Sequence, residues 1–275
     1  MNVKITILVD NYAGDGLSAE HGLALWIETG DTCILLDTGQ GGCLAPNAEK
    51  LGIDLSQTDA LVLSHGHYDH TGGVSRLIRY APEMEVYCHP FAVVPRYGMR
   101  SGEAKSLGMT CESLWALDRL SSGRIHWIQE GTVIFPDVGM TGYISRKTGY
   151  EDTGGAFFLD QELSRPDSIH DDQALWINTS EGVIVCVGCC HAGLINTLNQ
   201  VLIQSGASKL KAVIGGFHLL NADESRLNCT INALQVLSPE LIVPCHCTGS
   251  RAVEDFEKAF GGRVTAGIAG KTFEF

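Results

Sequence analysis

Four metal-binding side chains crowd into six residues at the end of an apolar run, and few folds can accept such a segment. Asp59-Ala60-Leu61-Val62-Leu63 reads as a buried strand, and Ser64-His65-Gly66-His67-Tyr68-Asp69-His70 follows it directly. So many imidazoles and carboxylates make poor core material. They are the usual donors to zinc or iron, which need them close together. If the chain stays extended, His65, His67 and Asp69 point one way, and the neighbouring His70 needs the turn that Gly72-Gly73 permits. The pattern predicts a metal site at a strand's carboxyl end, not a solvated loop.

Two later histidines stand in comparable places. His191 follows the apolar run Gly182–Val187 and precedes Gly193, while His246 follows Leu241-Ile242-Val243-Pro244 and precedes Gly249. Loops at strand ends collect functional groups in α/β sheets, so both are expected as ligands. Asp37, in Leu35-Leu36-Asp37-Thr38-Gly39, also ends an apolar strand. It is expected to accept the other N–H of a ligand histidine and fix its tautomer. The alternative is a helix-capping or turn aspartate. Asp10, Asn11, Glu20 and His21 are weaker candidates for a pocket wall.

Around these residues the hydrophobic pattern alternates between strands and helices. Strands are predicted at 3–9, 22–28, 33–37, 60–63, 85–88, 125–128, 132–135, 174–178, 182–187, 212–214, 241–243, 263–265 and 272–275. Short helical stretches are expected near 48–51 and around Val74, Leu77 and Ile78. Longer helices carry Leu194, Ile195, Leu198, Val201 and Leu202 on one face, then Leu227, Ile231 and Leu234, then Val253, Phe256 and Phe260. The less regular stretch 89–124 is expected to cover something. Its Arg96, Arg100, Lys105, Arg119 and Arg124 outnumber Glu103, Glu112 and Asp118, which suits an anionic substrate. The class is α/β of the α+β type, and a four-layer αβ/βα sandwich spanning 1–275 as one domain accommodates the order.

Bulk properties narrow the function. The 275-residue chain carries a net charge of −13, which disfavours a broad nucleic-acid footprint. A small anionic substrate stays compatible, because a bound divalent ion can dominate its local field. Neither a signal peptide nor an 18-residue apolar stretch is apparent, so the expected setting is cytoplasmic, with no membrane partner. In that setting most of the ten cysteines are expected to be reduced and buried like small apolar residues. Cys186 of the Cys186-x-x-Cys189 pair lies on a predicted strand, not on the strand-to-helix turn of redox motifs, and a structural zinc site would need a second ligand pair at suitable spacing.

The H-x-H-x-D-H motif with later strand-end histidines resembles the metallo-β-lactamase superfamily. Within it the chain is similar to a branch near the dihydropterin–ribofuranosylaminobenzene-phosphate synthases and related hydrolases. The matching pieces are Leu8-Val9-Asp10-Asn11, Ala19-Glu20-His21-Gly22-Leu23, Leu36-Asp37-Thr38-Gly39, Asp171-Asp172-Gln173-Ala174-Leu175, Gly215-Gly216-Phe217-His218-Leu219 and His246-Cys247-Thr248-Gly249. They span nearly the whole chain. The resemblance implies one metal position formed by His65, His67 and His191, and another formed by Asp69, His70 and His246. Between the strand ends of His191 and His246, many relatives place an aspartate that bridges both metals. Here the corresponding strand end offers His218, and a neutral imidazole with one lone pair cannot bridge. His218 is left to bind one metal, touch substrate or orient water, with a hydrogen-bonded supporting role as the alternative.

One or two divalent ions, Zn2+ first and Fe or Mn as alternatives, are therefore expected. Such an ion lowers the pKa of bound water from about 15.7 toward 7, and the hydroxide attacks an ester, phosphoester, thioester or lactone. Asp69, His218 and Asp37 are the expected catalytic group, in a monomer or homodimer acting on a small anionic molecule. The branch resemblance implies a second class, a transferase joining a pterin methyl diphosphate to an arylamine. A non-catalytic metal-binding module is the third.

Overall fold

The computed structural model describes residues 2–121 and 123–275. Met1, the head of the N-terminal apolar run, and Ser122, within the expected cover, lie outside the described residues. The chain divides into two compact units. One comprises Met1–Ile128, Ala156–Asp167 and Ile268–Phe275, the other Gln129–Gly155 and Ser168–Gly267.

The first unit is built on a seven-stranded sheet. Its order is Thr272–Glu274, Val3–Val9, Ala24–Thr29, Thr32–Leu36, Ala60–Val62, Glu85–Cys88 and Ile125–Trp127. Pairing is antiparallel as far as Thr32–Leu36 and parallel beyond it. Leu36 therefore pairs with Val62, and both strands deliver their carboxyl-terminal loops to one edge. Leu8, Trp26, Leu35, Leu61, Leu77 and Val86 belong to the buried cluster beneath. Helices Leu44–Lys50, Val74–Tyr80 and Cys111–Asp118 flank the sheet in sequence.

The second unit repeats the plan. Its six strands run Leu241–Cys245, Leu210–Gly216, Gly182–Val187, Ala174–Thr179, Val138–Met140 and Thr132–Phe135. The first three are mutually parallel, with Gly215 opposite Val187 and Gly216 opposite Cys245. Helix Leu194–Ser205 buries Leu194, Ile195, Leu198 and Val201, a helical spacing, and stops at Gly206 in the left-handed region. Helices Glu224–Leu237 and Ser250–Phe260 add Leu234 and Phe256 to the same core.

Most predicted elements appear, with instructive departures. The expected strand 263–265 is absent. Gly261–Arg263 forms a tight helical turn, and Val264 alone bridges Ile242. The irregular stretch 89–124 contains a hairpin, Tyr97–Arg100 with Glu103–Ser106, that Phe157–Phe158 extends to three strands. The same stretch holds helix Cys111–Asp118, started by the Thr110 side chain accepting from Ser113 N. Its exposed hairpin residues show no apolar alternation, which is why the period was invisible. No helix among the described residues is long and apolar enough to cross a membrane.

Candidate metal centre

In the first unit the strand Ala60–Val62 carries the chain to His65, where extended geometry soon ends. Tyr68–Thr71 is a helical turn that His67 caps, so Asp69 and His70 sit on a helix and not on an extended alternation. Gly66 is required by space. A Cβ there would lie 2.1 Å from the Ala92 carbonyl oxygen and 2.6 Å from Arg96 Nη1.

Asp37, with φ of 61°, leaves the neighbouring strand and turns its carboxylate inward. One oxygen accepts from Ser64 N at 2.8 Å. The other accepts from Ser64 Oγ at 2.6 Å and faces His70 Nδ1 at 2.6 Å. Asp37, Ser64, His65 and His70 are all fully buried. These contacts determine where protons sit. A carboxylate only accepts, so His70 carries its proton on Nδ1 and presents the lone pair of Nε2. Ser64 has one hydroxyl proton, and Asp37 takes it. The 2.9 Å contact between Ser64 Oγ and His65 Nδ1 must then be donated by the ring, which leaves the His65 lone pair on Nε2.

That His65 Nε2 lies 2.9 Å from His67 Nδ1, and the rings of His65 and His70 are 4.3 Å apart. His67 rests against Phe157 at 4.9 Å. Asp69 is nearly buried, and its Oδ2 is 3.1 Å from Nε2 of the exposed His21. Buried imidazole nitrogens converging beside a carboxylate are donor chemistry that suits zinc, iron or manganese.

In the second unit three parallel strands deliver donors to a common edge: Cys189 and His191 after Val187, His218 after Gly216, and His246 and Cys247 after Cys245. Cys190, His218 and His246 have φ of 55°, 48° and 46°, so each exit passes through the left-handed region. His191 Nδ1 lies 2.8 Å from the Thr153 carbonyl oxygen, which can only accept. Its lone pair is therefore on Nε2. Glu151 accepts from Ile195 N and Asn196 N at 2.8 and 3.0 Å and so caps the helix that follows His191.

Asp172 accepts from Ala192 N at 2.7 Å, and burial pushes its carboxyl up to about 7. The His218 ring is 4.3 Å from that of His191 and packs against Gly154, where a Cβ would lie 1.7 Å from His218 Cδ2. Cys189, His218 and Cys247 bring ligand atoms within 4.8 Å of one another. Burial alone would raise the Cys247 thiol, but hydrogen bonding with Cys189 and the nearby His218 and His246 pull it well below the usual value. Burial likewise opposes the charged form of His218, and Cys247 outweighs it and raises that imidazole.

The cysteines thus divide. Cys186 is buried in its strand, where burial pushes its thiol up to about 12, as expected for a small apolar residue. Cys189 and Cys247 were expected to behave likewise, yet they join the histidines. Their position beside His191 and His246 was the available signal. No two cysteines are joined among the described residues.

The basic cover also needs correcting. Arg96 is fully buried, with Nε bonded to Asp167 at 2.7 Å and Nη2 to the Phe91 carbonyl at 3.1 Å. Arg124 pairs with Glu83 and Glu85, and Lys105 with Glu103. Of the five cations, Arg100, Lys105 and Arg119 are exposed, and the Lys105–Glu103 pair is itself open to solvent.

Comparison with known proteins adds independent findings. The family model of the metallo-beta-lactamase superfamily matches residues 18–176. The 7,8-dihydropterin-6-methyl-4-(beta-D-ribofuranosyl)-aminobenzene-5'-phosphate synthase of Methanocaldococcus jannaschii is 31% identical, over 96% of each chain. Among solved structures, Tm1679, a metal-dependent hydrolase of the beta-lactamase superfamily, is similar with a TM-score of 0.85 and 31% identity, over 99% of each chain. Zn(2+)-bound PqqB from Methylobacterium extorquens is similar in fold alone, with a TM-score of 0.59 and 14% identity over 98% of this chain and 99% of that one.

Proposed function

The chain belongs to the metallo-beta-lactamase superfamily, and from that premise we propose that it is a metal-dependent hydrolase of small anionic esters, phosphoesters, thioesters or lactones. The proposed ligands are His65, His67 and His191 for one ion and Asp69, His70 and His246 for another, with Zn2+ first and Fe or Mn as alternatives. The reading takes residues 1–275 as a single catalytic domain, a monomer or homodimer. It places the enzyme in the cytoplasm, which suits ten unjoined cysteines.

One observation supports the metal reading: His65, His70 and His191 all commit the Nδ1 proton to an acceptor and so carry their lone pair on Nε2. A ligand histidine donates its other ring N–H to an acceptor and keeps one nitrogen lone pair for the metal, and these three rings are held in that way. When bound, the metal supplies Lewis acidity and brings the pKa of coordinated water toward about 7. The chain's own residues do the rest. Asp37 and Ser64 hold the imidazoles, Asp69 orients the attacking group, and the buried surroundings restrict water. In this reading His218 contacts substrate or orients water. Since Arg96, Lys105 and Arg124 are already paired, attraction of an anion falls mainly to the metal.

A second reading, transfer of a pterinylmethyl group from its diphosphate to an arylamine with release of diphosphate, is favoured by the 31% identity to the archaeal synthase over nearly the full length of both chains. The test starts with metal analysis of protein never exposed to chelator. The protein is then incubated with a panel of phosphodiesters, thioesters and lactones, and separately with a dihydropterin diphosphate plus an arylamine. Turnover in the panel is the expected result. Diphosphate release in the second mixture alone would replace hydrolysis by transfer. Silence in both with metal retained would leave a binding module, and absence of any transition metal, with none taken up on addition, would overturn the reading entirely.

A further inference from the structure

Two adjacent cysteines leave the strand Gly182–Val187, and they turn opposite ways. Cys190 joins the apolar cluster with Val187, Leu194 and Leu198. Cys189 Sγ instead lies within 4.8 Å of a ring nitrogen of His191 and of His246, and equally close to His218 and to Cys247 Sγ. His191 and His246 are the two residues of this unit that the proposed function gives to different metal positions. Cys189 stands against both.

The chemistry of the donors matters here. With one nitrogen protonated, His218 has a single lone pair and can serve one ion only. A thiolate sulfur keeps several lone pairs and is a favoured donor to zinc and iron. Cys189 is 3% exposed, so a thiolate there needs a positive partner at hand. Divalent cations would supply that charge.

We propose that Cys189 is a metal ligand whose thiolate fills, between the positions served by His191 and His246, the bridging role that an aspartate has in many relatives. On binding, the S–H bond breaks, its proton leaves to solvent, and sulfur donates an electron pair to the metal. No oxidation occurs. The inference rests on the metal-dependent reading of the site, and its test separates the two.

The full-length protein is loaded with Zn2+ for X-ray absorption and with Co2+, a spectroscopic stand-in, for optical spectra. The expected result is a sulfur scatterer at about 2.3 Å beside nitrogen and oxygen at roughly 2.0–2.2 Å. A near-ultraviolet thiolate-to-cobalt band is expected too, lost in Cys189→Ser and retained in Cys111→Ser. Metal affinity of Cys189→Ser should fall by at least the roughly 10–100-fold that partners outside the ligand set command. Full metal loading without a sulfur shell in the unmodified protein would overturn the inference while leaving the metal-dependent reading intact, and that measurement needs no variant to fold. A charge-transfer band that survives Cys189→Ser would overturn it as well, whatever Cys247→Ser does. Failure of the unmodified protein to bind any metal would overturn both.

Discussion

The two units orient buried imidazoles by different means. In the first, one buried carboxylate takes the Ser64 amide, the Ser64 hydroxyl and His70 Nδ1, so a single side chain sets two histidine tautomers. In the second, His191 is set by a main-chain carbonyl, that of Thr153, and its neighbours arrive from three separate strand ends. A side-chain frame can be broken by one substitution. A main-chain frame is fixed by register and loop closure, so it resists substitution and yields to changes in backbone. The buried carboxylates differ in the same sense: Asp37 bonds a histidine ring, whereas Asp172 bonds the backbone amide of Ala192.

The contrast is tested hardest at Asp37. Asp37→Ala leaves two Ser64 donors and the His70 ring proton buried without that acceptor. A loss of about 3–5 kcal/mol in unfolding free energy is expected, together with loss of bound metal. Asp37→Asn separates the two effects, because asparagine tolerates the left-handed backbone found there. It should fold better than the alanine variant yet bind metal roughly 10–100-fold more weakly. Urea unfolding with metal analysis reads both. Asp37→Ala with unaltered stability and metal content would show that the first unit does not depend on this carboxylate.

Asp172 provides the counterpart, and pH is its probe. Burial raises its carboxyl from 3.8 to about 7, so the folded chain retains a proton that the unfolded chain has released. Where the native state binds more protons, stability falls as pH rises. The penalty is absent below about pH 4, grows by about 1.4 kcal/mol per pH unit, and is complete above about pH 7. Asp172→Asn should flatten that slope and gain most, relative to the parent chain, near pH 8. Parallel slopes for variant and parent between pH 4 and 7 would show that Asp172 does not titrate in this window.

Legibility in the sequence divides along the same line. His65, His67, Asp69 and His70 announce themselves because their chemistry is dense within six residues. Parallel-strand register, by contrast, brings Cys189, His218 and Cys247 together from positions tens of residues apart, and no local pattern records it. Amphipathic period located the helix Leu194–Ser205 but not Cys111–Asp118, whose apolar positions follow no strong stripe. Alternation also misplaced Asp69, since one turn of helix, which carries His70 as well, replaces the extended run. Arg96 counted as a surface cation because composition does not show that Asp167, far along the chain, encloses it.

Ser64→Ala gives a smaller and finer probe of the side-chain frame. It removes the relay from Asp37 to His65 while leaving the contact from Asp37 to His70 in place. Metal affinity should fall by roughly tenfold, about 1.4 kcal/mol, with little change in fold. Titration calorimetry against a competing chelator would measure it. Unchanged affinity would mean that the His65 ring is oriented by its contact with His67 instead.

The smallest effect is expected from the two exposed arginines of the cover. Arg100→Gln combined with Arg119→Gln should leave Tm unchanged, because neither head is in a buried pair. Arg96→Ala, which strands a buried Asp167, should cost about 3–5 kcal/mol. For an anionic substrate, kcat/KM of the double variant should drop only a few-fold, and more at low ionic strength than at high, as surface steering does. A salt-sensitive loss of tenfold or more would shift anion recognition from the metal to the cover. The side-chain frame around Asp37 would then serve chemistry alone, and substrate choice would belong to the hairpin and helix between His89 and Arg124.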